Sequence, residues 1–326
     1  MVRIFNVIDE TIRILSLVLI LAPSSYLLPR KWAMGIAKFL SFLLIFSPAS
    51  GPHIYWQMRV AYGKGRLDSF KLAWDWLGRG YLDFLVHRRL IHKLENPLNW
   101  QIVERNAENI KRLRESGESY IVAGGHFQHG FSCSMYVPSI TYGRVIRVSD
   151  PVKKIRSLKD LRTRYQFGMN MKSFAYWAGK NAEIIFNEPD MRTARKIYNR
   201  LCVRGNVVFI DVDAIWKKSN TRSYERPFAG SKSRVFATGT AELARMAKCP
   251  VICCVHFIER DGTIVLEWGP PILNGGTDGE NVIDVMNKLI DQLEIAIGER
   301  PTQYVFQIGG DRRWNPQRRH WEEFTV

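Results

Sequence analysis

Two histidines in the segment GGHFQHGF, residues 124–131, have the type and spacing best suited to proton-transfer chemistry in this sequence. His126 and His129 follow the apolar run YIVA, which is typical of a short buried strand. A histidine titrates near neutral pH, so one placed at a strand end is a candidate general base. The glycines before His126, including Gly125, allow backbone or ligand to come close. The alternative is a histidine that only caps the helix that follows.

Carboxylates that could work beside His126 occur after a second apolar run. Asp211 and Asp213, in FIDVD, end a predicted strand that faces the same sheet edge. The next segment, AIWKKSNTRSYERPFAGSKSR, is predicted to be a long loop without its own secondary structure, and Glu225 is its acid. A loop of that length is usually functional or disordered.

Cations surround these acids in the sequence, where they could contact phosphate groups or an acidic carrier, or could simply be solvated. The candidates in the long segment are Lys217, Lys218, Arg222, Arg226, Lys232 and Arg234. Those near another strand end are Arg144, Arg147, Lys153 and Lys154.

The elements that must position these residues alternate between strand and helix from residue 119 onward. The runs SYIVAGG, RVIRVS, EIIFN and NVVFIDVD are predicted strands, and PVICCVHFIERDGTIVLEW is a predicted hairpin turning at residues 260–262. Predicted helices are DMRTARKIYNRLCVRG, ending at Gly205, then RVFATGTAELARMAKC and GENVIDVMNKLIDQLEIAIGER. Residues 54–115 have a helical pattern throughout. This order predicts an α/β fold with a mainly parallel central sheet flanked by helices, with ligands at the carboxyl ends of the strands.

The N-terminus forms a hydrophobic helical arm ahead of that domain. The stretches TIRILSLVLILAPSSYLLP and WAMGIAKFLSFLLIFSP are each shorter than the roughly 20 residues needed to span a bilayer. They are either helices lying in the membrane interface or an arm packed on the domain. Flanking cations favour attachment to an anionic membrane surface. We therefore divide the chain into membrane-associating helices at 1–50 and an α/β domain at 51–326.

Composition limits the function classes further. The chain has 326 residues and a net charge of +16, a field that suits an anionic partner. The sequence does not favour nucleic acid as a partner, because no zinc-finger spacing or RNP-like strand occurs. The five cysteines lack a CxxC pair, which indicates packed thiols in a reducing compartment.

Several motifs in one order resemble a known family. Strand-GGH is followed by RYQFG from Arg164 to Gly168, then FIDVD, YERPFAG and TGTAELARMAKCPVI. This order is similar to that of the lipid A lauroyl/myristoyl acyltransferases and their mycobacterial phosphatidylinositol mannoside acyltransferase relatives, over roughly residues 10–310.

The resemblance implies a histidine base, matched by His126 with Gly125 as its neighbour, and an acid that orients the imidazole. The family pattern has Asp or Glu five residues after the histidine, and this chain has Phe131 there. In the mycobacterial branch a glutamate before the Phe-x-Gly segment is the partner, and Glu225 matches that position. We therefore expect a His126–Glu225 dyad, with Phe131 as an apolar wall for the acyl chain. The expected substrate-binding residues are Gly125, Phe131, Arg147, Arg164, Asp211, Asp213, Arg226 and Arg234.

The function implied is acyl transfer from an acyl-carrier-protein or CoA thioester to a hydroxyl or amine of a lipid acceptor. No metal or cofactor is expected. The implied location is the cytoplasmic face of the bacterial inner membrane, peripheral or anchored by the N-terminus. The alternative is a catalytically impaired pseudo-acyltransferase that binds lipid or serves a partner subunit. Acceptor identity, acyl length and oligomeric state stay open.

Overall fold

The structure is a computed structural model of the chain. It describes residues 2–47, 50–96, 101–127, 144–149, 157–179, 182–186, 191–214, 222–259, 263–272, 280–306 and 308–324. The strands are β1 Ile102–Arg105, β2 Tyr120–Gly124, β3 Val145–Ser149, β4 Ala182–Phe186, β5 Val207–Asp211, β6 Ser223–Phe228, β7 Ser231–Ala237, β8 Val251–Ile258, β9 Ile264–Trp268, β10 Arg312–Asn315 and β11 His320–Glu323.

Helices precede and flank these strands. They are α1 Val2–Leu15, α2 Ala22–Leu27, α3 Arg30–Ile45, α4 Gly51–Tyr62, α5 Arg66–Ile91, α6 Ala107–Ser116, α7 Leu158–Ala178, α8 Met191–Leu201, α9 Gly239–Ala247 and α10 Val282–Glu299. A π-helical segment, Ser16–Leu21, joins α1 to α2, and a 3-10 turn, Pro301–Gln303, follows α10.

Seven strands of the described chain form one sheet in the order β1-β9-β8-β2-β5-β3-β4. From β8 to β4 all neighbouring strands are parallel, while β9 runs antiparallel to β8 and parallel to β1. The central strands β2, β5 and β8 are runs of buried apolar side chains, as expected where helices cover both faces of a parallel sheet. The predicted α/β class and mainly parallel sheet are confirmed.

The segment predicted as a long loop instead contains an antiparallel hairpin, β6–β7. Phe228 and Phe236 are buried on its inner face, and Ala229 and Gly230 adopt positive φ at its turn. The segment was predicted to be a loop because it is rich in charged residues, which obscured the two-residue period of its strands. The helix predicted from Arg234 onward therefore begins later, at Gly239.

Other element boundaries also differ from the sequence prediction. Helix α8 ends at Leu201, and Gly205, with φ of 82°, lies in the turn before β5 rather than at the helix end. The helical pattern over 54–115 contains the unpredicted strand β1, and the C-terminal hairpin β10–β11 was not predicted. The strands predicted around residues 260–262 are present, whereas that turn lies outside the described residues.

The N-terminal helices share the hydrophobic core of the rest of the protein. Leu21, Ala33, Ala37 and Leu44 are buried in the cluster that also contains Ile121 of the central sheet. Their opposite surface exposes large apolar side chains, namely Val7, Ile8, Ile12, Leu15, Val18, Leu19, Ile20, Tyr26, Leu27, Trp32, Phe39, Leu43 and Phe46. Within the described ranges, no helix has the length and apolar character that crossing a bilayer requires. The arm is therefore packed on the domain and apolar on its outer surface.

Candidate active site

Two neighbouring parallel strands bring the candidate residues to one sheet edge. Strands β2 and β5 pair so that Gly124 lies opposite Asp211, and the amide of Val212 donates to the Gly124 carbonyl at 2.9 Å. The chain then continues from β2 to His126 and from β5 to Asp213. The sequence prediction that these acids and His126 share an edge is thus correct.

His126 and Asp213 are in direct contact at this edge. The imidazole Nδ1 lies 2.6 Å from Asp213 Oδ1, and the backbone amide of His126 donates to Asp213 Oδ2 at 2.9 Å. Asp213 is fully buried, while 35% of the His126 side chain is exposed. A proton on Nδ1 donated to Asp213 leaves Nε2 as the nitrogen that can accept a proton from a substrate.

Gly125 makes this close approach possible. A Cβ atom at that position would lie 3.3 Å from Asp213 Oδ2 and 3.2 Å from the Leu293 side chain. These distances are tighter than ordinary packing, so a larger residue would push the carboxylate or α10 away. The absence of a side chain at Gly125 therefore leaves the space that the Asp213 carboxylate occupies.

The electrostatic balance raises the pKa of His126. Burial would lower it, but the carboxylates of Asp213 and Asp211, opposed by Arg147, outweigh burial and raise the pKa from 6.5 to about 9. Burial likewise works against the charged form of Asp213, yet His126 and Arg234 lower the pKa of that carboxyl. The pair therefore rests as imidazolium and carboxylate at neutral pH.

Asp211 has a different partner. Its Oδ2 accepts a hydrogen bond from the buried guanidinium of Arg147. The same oxygen lies 3.9 Å from His126 Nε2, which is beyond hydrogen-bond reach. Arg147 was expected to bind substrate, and that stays a prediction; in the structure its guanidinium contacts Asp211. Asp211 thus stands beside the nitrogen that would receive a proton, with its charge compensated.

The expected pairing of His126 with Glu225 is corrected by the structure. Glu225 is exposed on β6 and accepts a hydrogen bond from Ser233 of the neighbouring strand. No ion pair joins it to His126 in the described part of the chain. The reason is strand alternation: β6 turns Arg226 toward α10, which places Glu225 on the opposite face.

The other predicted cations have separate surroundings. Arg234 donates to the Asp213 carbonyl and, at 3.1 Å, to the Tyr304 hydroxyl. It therefore holds the backbone of Asp213 in place. Arg226 binds Asp291 and Glu294 of α10 at 2.7 and 2.8 Å. Arg164 is exposed on α7, and no hydrogen bond or ion pair joins it to the site among the described residues. The predictions for His129, Phe131, Lys153, Lys154, Lys217 and Lys218 lie outside the described residues.

Sequence reasoning missed the segment that covers His126. The amide of Val305 donates to the His126 carbonyl at 2.7 Å, and the Phe306 ring lies 4.5 Å from the imidazole, centre to centre. Tyr304 is fully buried behind them. The short apolar run YVF between a helix and a hairpin was the available signal. Among the described residues, no group of three or more His, Cys, Asp or Glu side chains could hold a metal ion.

A comparison with protein families matches residues 67–314 to the bacterial lipid A biosynthesis acyltransferases. The chain belongs to this acyltransferase family. The match covers the seven strands of the central sheet, the His126–Asp213 pair and hairpin β6–β7, and it leaves the N-terminal arm and strand β11 outside. A search of curated proteins gives no significant match. The predicted relationship is confirmed, and the family acts in lipid biosynthesis in bacteria as acyltransferases.

Proposed function

We propose that this protein transfers a fatty acyl chain from an acyl-carrier-protein or CoA thioester to a hydroxyl or amine of a lipid acceptor. His126 is the general base, and Asp213 is the carboxylate that orients it. The observation that carries the proposal is the 2.6 Å contact between Nδ1 and a fully buried carboxylate. In this proposal Asp213, within FIDVD, takes the role of the acid that the family pattern has at the position of Phe131, and it replaces Glu225, which the family resemblance had suggested.

The proposed step on a hydroxyl acceptor begins at His126 Nε2. In the molecules whose His126 has lost its proton, a fraction that grows as the pH rises toward the pKa of about 9, this nitrogen takes the hydroxyl proton as the oxygen attacks the thioester carbonyl carbon. Asp213 stabilises the imidazolium that forms. The carbon–sulfur bond then breaks, the ester remains on the acceptor, and the imidazolium returns its proton to the leaving thiolate. The imidazole is thereby restored.

We also propose that the protein works at the cytoplasmic face of the bacterial inner membrane, held by its N-terminal arm. The arm's exposed surface carries aromatic and aliphatic side chains, including Trp32 and Phe39, which are 72% and 61% exposed. Such a surface gains free energy when it enters the acyl boundary of a bilayer. The net charge of +16 supports attraction to anionic lipid and to an acidic carrier protein.

The test measures thiol released from a mixed pool of acyl thioesters when full-length protein is given detergent-solubilised lipid. We expect release that depends on added lipid and is lost in His126→Gln, a variant that keeps ring-sized polar bulk but has no base. Release that survives in His126→Gln would rule out this base. Lipid binding without any thiol release would instead support the pseudo-acyltransferase alternative.

A further inference from the structure

A buried arginine lies behind the site without touching His126. Arg79 of α5 is 6% exposed, and its guanidinium stacks on the Trp76 ring at 4.7 Å. It donates to the backbone carbonyl of Tyr304, and the Trp76 indole Nε1 donates to the same oxygen at 3.1 Å. Two donors, one of them a cation, therefore converge on a single peptide oxygen.

That peptide group connects Arg79 to the candidate base. The Tyr304 carbonyl and the Val305 amide belong to one planar unit, and the amide donates to the His126 carbonyl at 2.7 Å. A cation at the oxygen end polarises the unit, which strengthens donation from its N–H end. Arg79 thus acts on the His126 backbone through one rigid group.

The side chain of the same tyrosine reaches the other half of the pair. The Tyr304 hydroxyl accepts from Arg234, which also donates to the Asp213 carbonyl. Burial, and then the Asp213 carboxylate, raise the pKa of Tyr304 well above its usual value. The Tyr304–Val305 segment therefore bonds to His126 through the Val305 amide and reaches the Asp213 side through the Tyr304 hydroxyl.

We propose that Arg79 is a positioning residue that fixes His126 against Asp213 through the Tyr304–Val305 peptide. Placing a guanidinium in the interior is costly, which argues that its contacts matter. Burial lowers the pKa of Arg79 to about 9, although Asp83 and Tyr62 raise it. The consequence for catalysis rests on the proposed function, whereas the consequence for the His126–Asp213 contact does not.

The sign of a titration shift separates positioning from simple charge. Among the described residues, the charged and titratable groups that face His126 are Asp213 and Asp211 at the end of β5, Arg147 of β3, Arg234 of β7 and Tyr304 after α10. If Arg79 acted only as a distant positive charge, its removal would raise the His126 midpoint. If it positions His126, its removal loosens the contact with Asp213 and lowers the midpoint.

The experiment follows histidine ring carbons by NMR in full-length, detergent-solubilised protein labelled at histidine. The resonance lost in His126→Gln identifies His126 among the seven histidines. We expect a midpoint near 9 in the unaltered chain, a fall of at least about one pH unit in Arg79→Gln, and recovery in Arg79→Lys, which keeps a charged donor.

A matched control comes from α4, where Arg59 stacks over Trp56 at 5.3 Å with the same sequence spacing. Arg59→Gln should leave the midpoint unchanged. Because Arg79→Gln removes a buried charge, Trp76→Phe provides a second test: it keeps the ring and removes the other donor, and it should lower the midpoint by a smaller amount. An unchanged or raised midpoint in folded Arg79→Gln, or an unchanged one in Trp76→Phe, overturns the proposal.

Kinetics then separate this proposal from the proposed function. In Arg79→Gln, measured above the midpoint where His126 is unprotonated in both proteins, we expect kcat to fall roughly 10–100-fold with the KM for the thioester unchanged, since small misplacement of a base costs about this much. A lowered midpoint in a protein that shows no acyl transfer at all would sustain positioning and overturn the proposed activity. A lowered midpoint with unchanged kcat would mean that the contact is not used in catalysis, and so would overturn Arg79 as a positioning residue for the reaction.

Discussion

The carboxyl edge of the sheet and the N-terminal arm depart from ordinary burial in opposite ways. At the edge, Asp213 is fully buried with its charge, held by His126 and Arg234. On the arm, Trp32 and Phe39 are exposed although they are apolar. Buried polar groups and exposed apolar surfaces are the two departures that need an explanation in a folded protein.

Under the proposed function, the sheet edge carries out the chemistry and the arm attaches the protein to lipid, and both share one hydrophobic core. The arm packs on α5, where the Trp74 indole Nε1 donates to Ser41 Oγ of α3 at 3.0 Å, and α5 also carries Arg79, which reaches the segment beside His126. The apolar surface and the charged site are thus built on the same helices and strands. Changes at the edge should affect chemistry alone, and changes on the outer arm should affect lipid attachment alone.

The largest effect is expected for Asp213→Asn. An amide in place of the carboxylate cannot accept the Nδ1–H in the same way and favours the wrong tautomer of His126. We expect kcat to fall about 10³–10⁴-fold, as is typical when the carboxylate beside a catalytic histidine is neutralised. Steady-state kinetics check this, and vesicle co-sedimentation should be unchanged. A variant that loses membrane binding as well would contradict the division between the two regions.

The second effect is a dependence on pH that only the edge should show. With a pKa of about 9, His126 is mainly protonated at neutral pH, so kcat/KM should rise about tenfold per pH unit until it levels off near 9. Because the folded pKa is raised above 6.5, the stability that His126 contributes is present below 6.5 and is lost as pH rises through 9. Rate profiles and thermal unfolding measured on the same samples check both directions. A rate plateau that begins near 6.5 would contradict the ion pair.

Local patterns predicted much of this fold because they report burial directly. The apolar runs of β2, β5 and β8 identified the central strands, and FIDVD placed Asp211 and Asp213 at the edge of His126. The sequence did not predict which carboxylate contacts His126. Which acid meets an imidazole depends on the face that a strand presents, and the alternation of hairpin β6–β7 was masked by its charges.

The residues that sequence reasoning missed act over long separations. Arg79 and Tyr304 are 225 positions apart, and their contact uses a backbone carbonyl that carries no residue-type signal. Such contacts arise from tertiary packing of α5 against the segment after α10. They follow from the three-dimensional fold and have no counterpart in the local sequence pattern.

The third effect belongs to the arm. Replacing Trp32 and Phe39 with Ser should weaken binding to anionic vesicles about tenfold per residue, since each side chain would lose its apolar burial in the bilayer. Met246→Ser is a matched control, because Met246 is 63% exposed on α9, outside the arm. Added salt should weaken binding of the unaltered chain without abolishing it, because screening acts only on charge. Equal losses in the control and the arm variants would show that the arm has no special role.

The smallest effect is expected for Glu225→Gln, and it bears directly on the comparison. Glu225 resembles Asp213 in charge and lies on the hairpin next to Arg234, but it is exposed and accepts from the Ser233 hydroxyl, which a glutamine oxygen can also accept. Removing an exposed carboxylate that does not touch His126 should change kcat by less than about twofold and leave the pH midpoint near 9. The measurement is a side-by-side pH–rate profile of Glu225→Gln and Asp213→Asn. If Glu225→Gln were the more damaging of the two, the working enzyme would have to bring Glu225 to His126 in a different arrangement of the hairpin, and the buried carboxylate at the sheet edge would be structural.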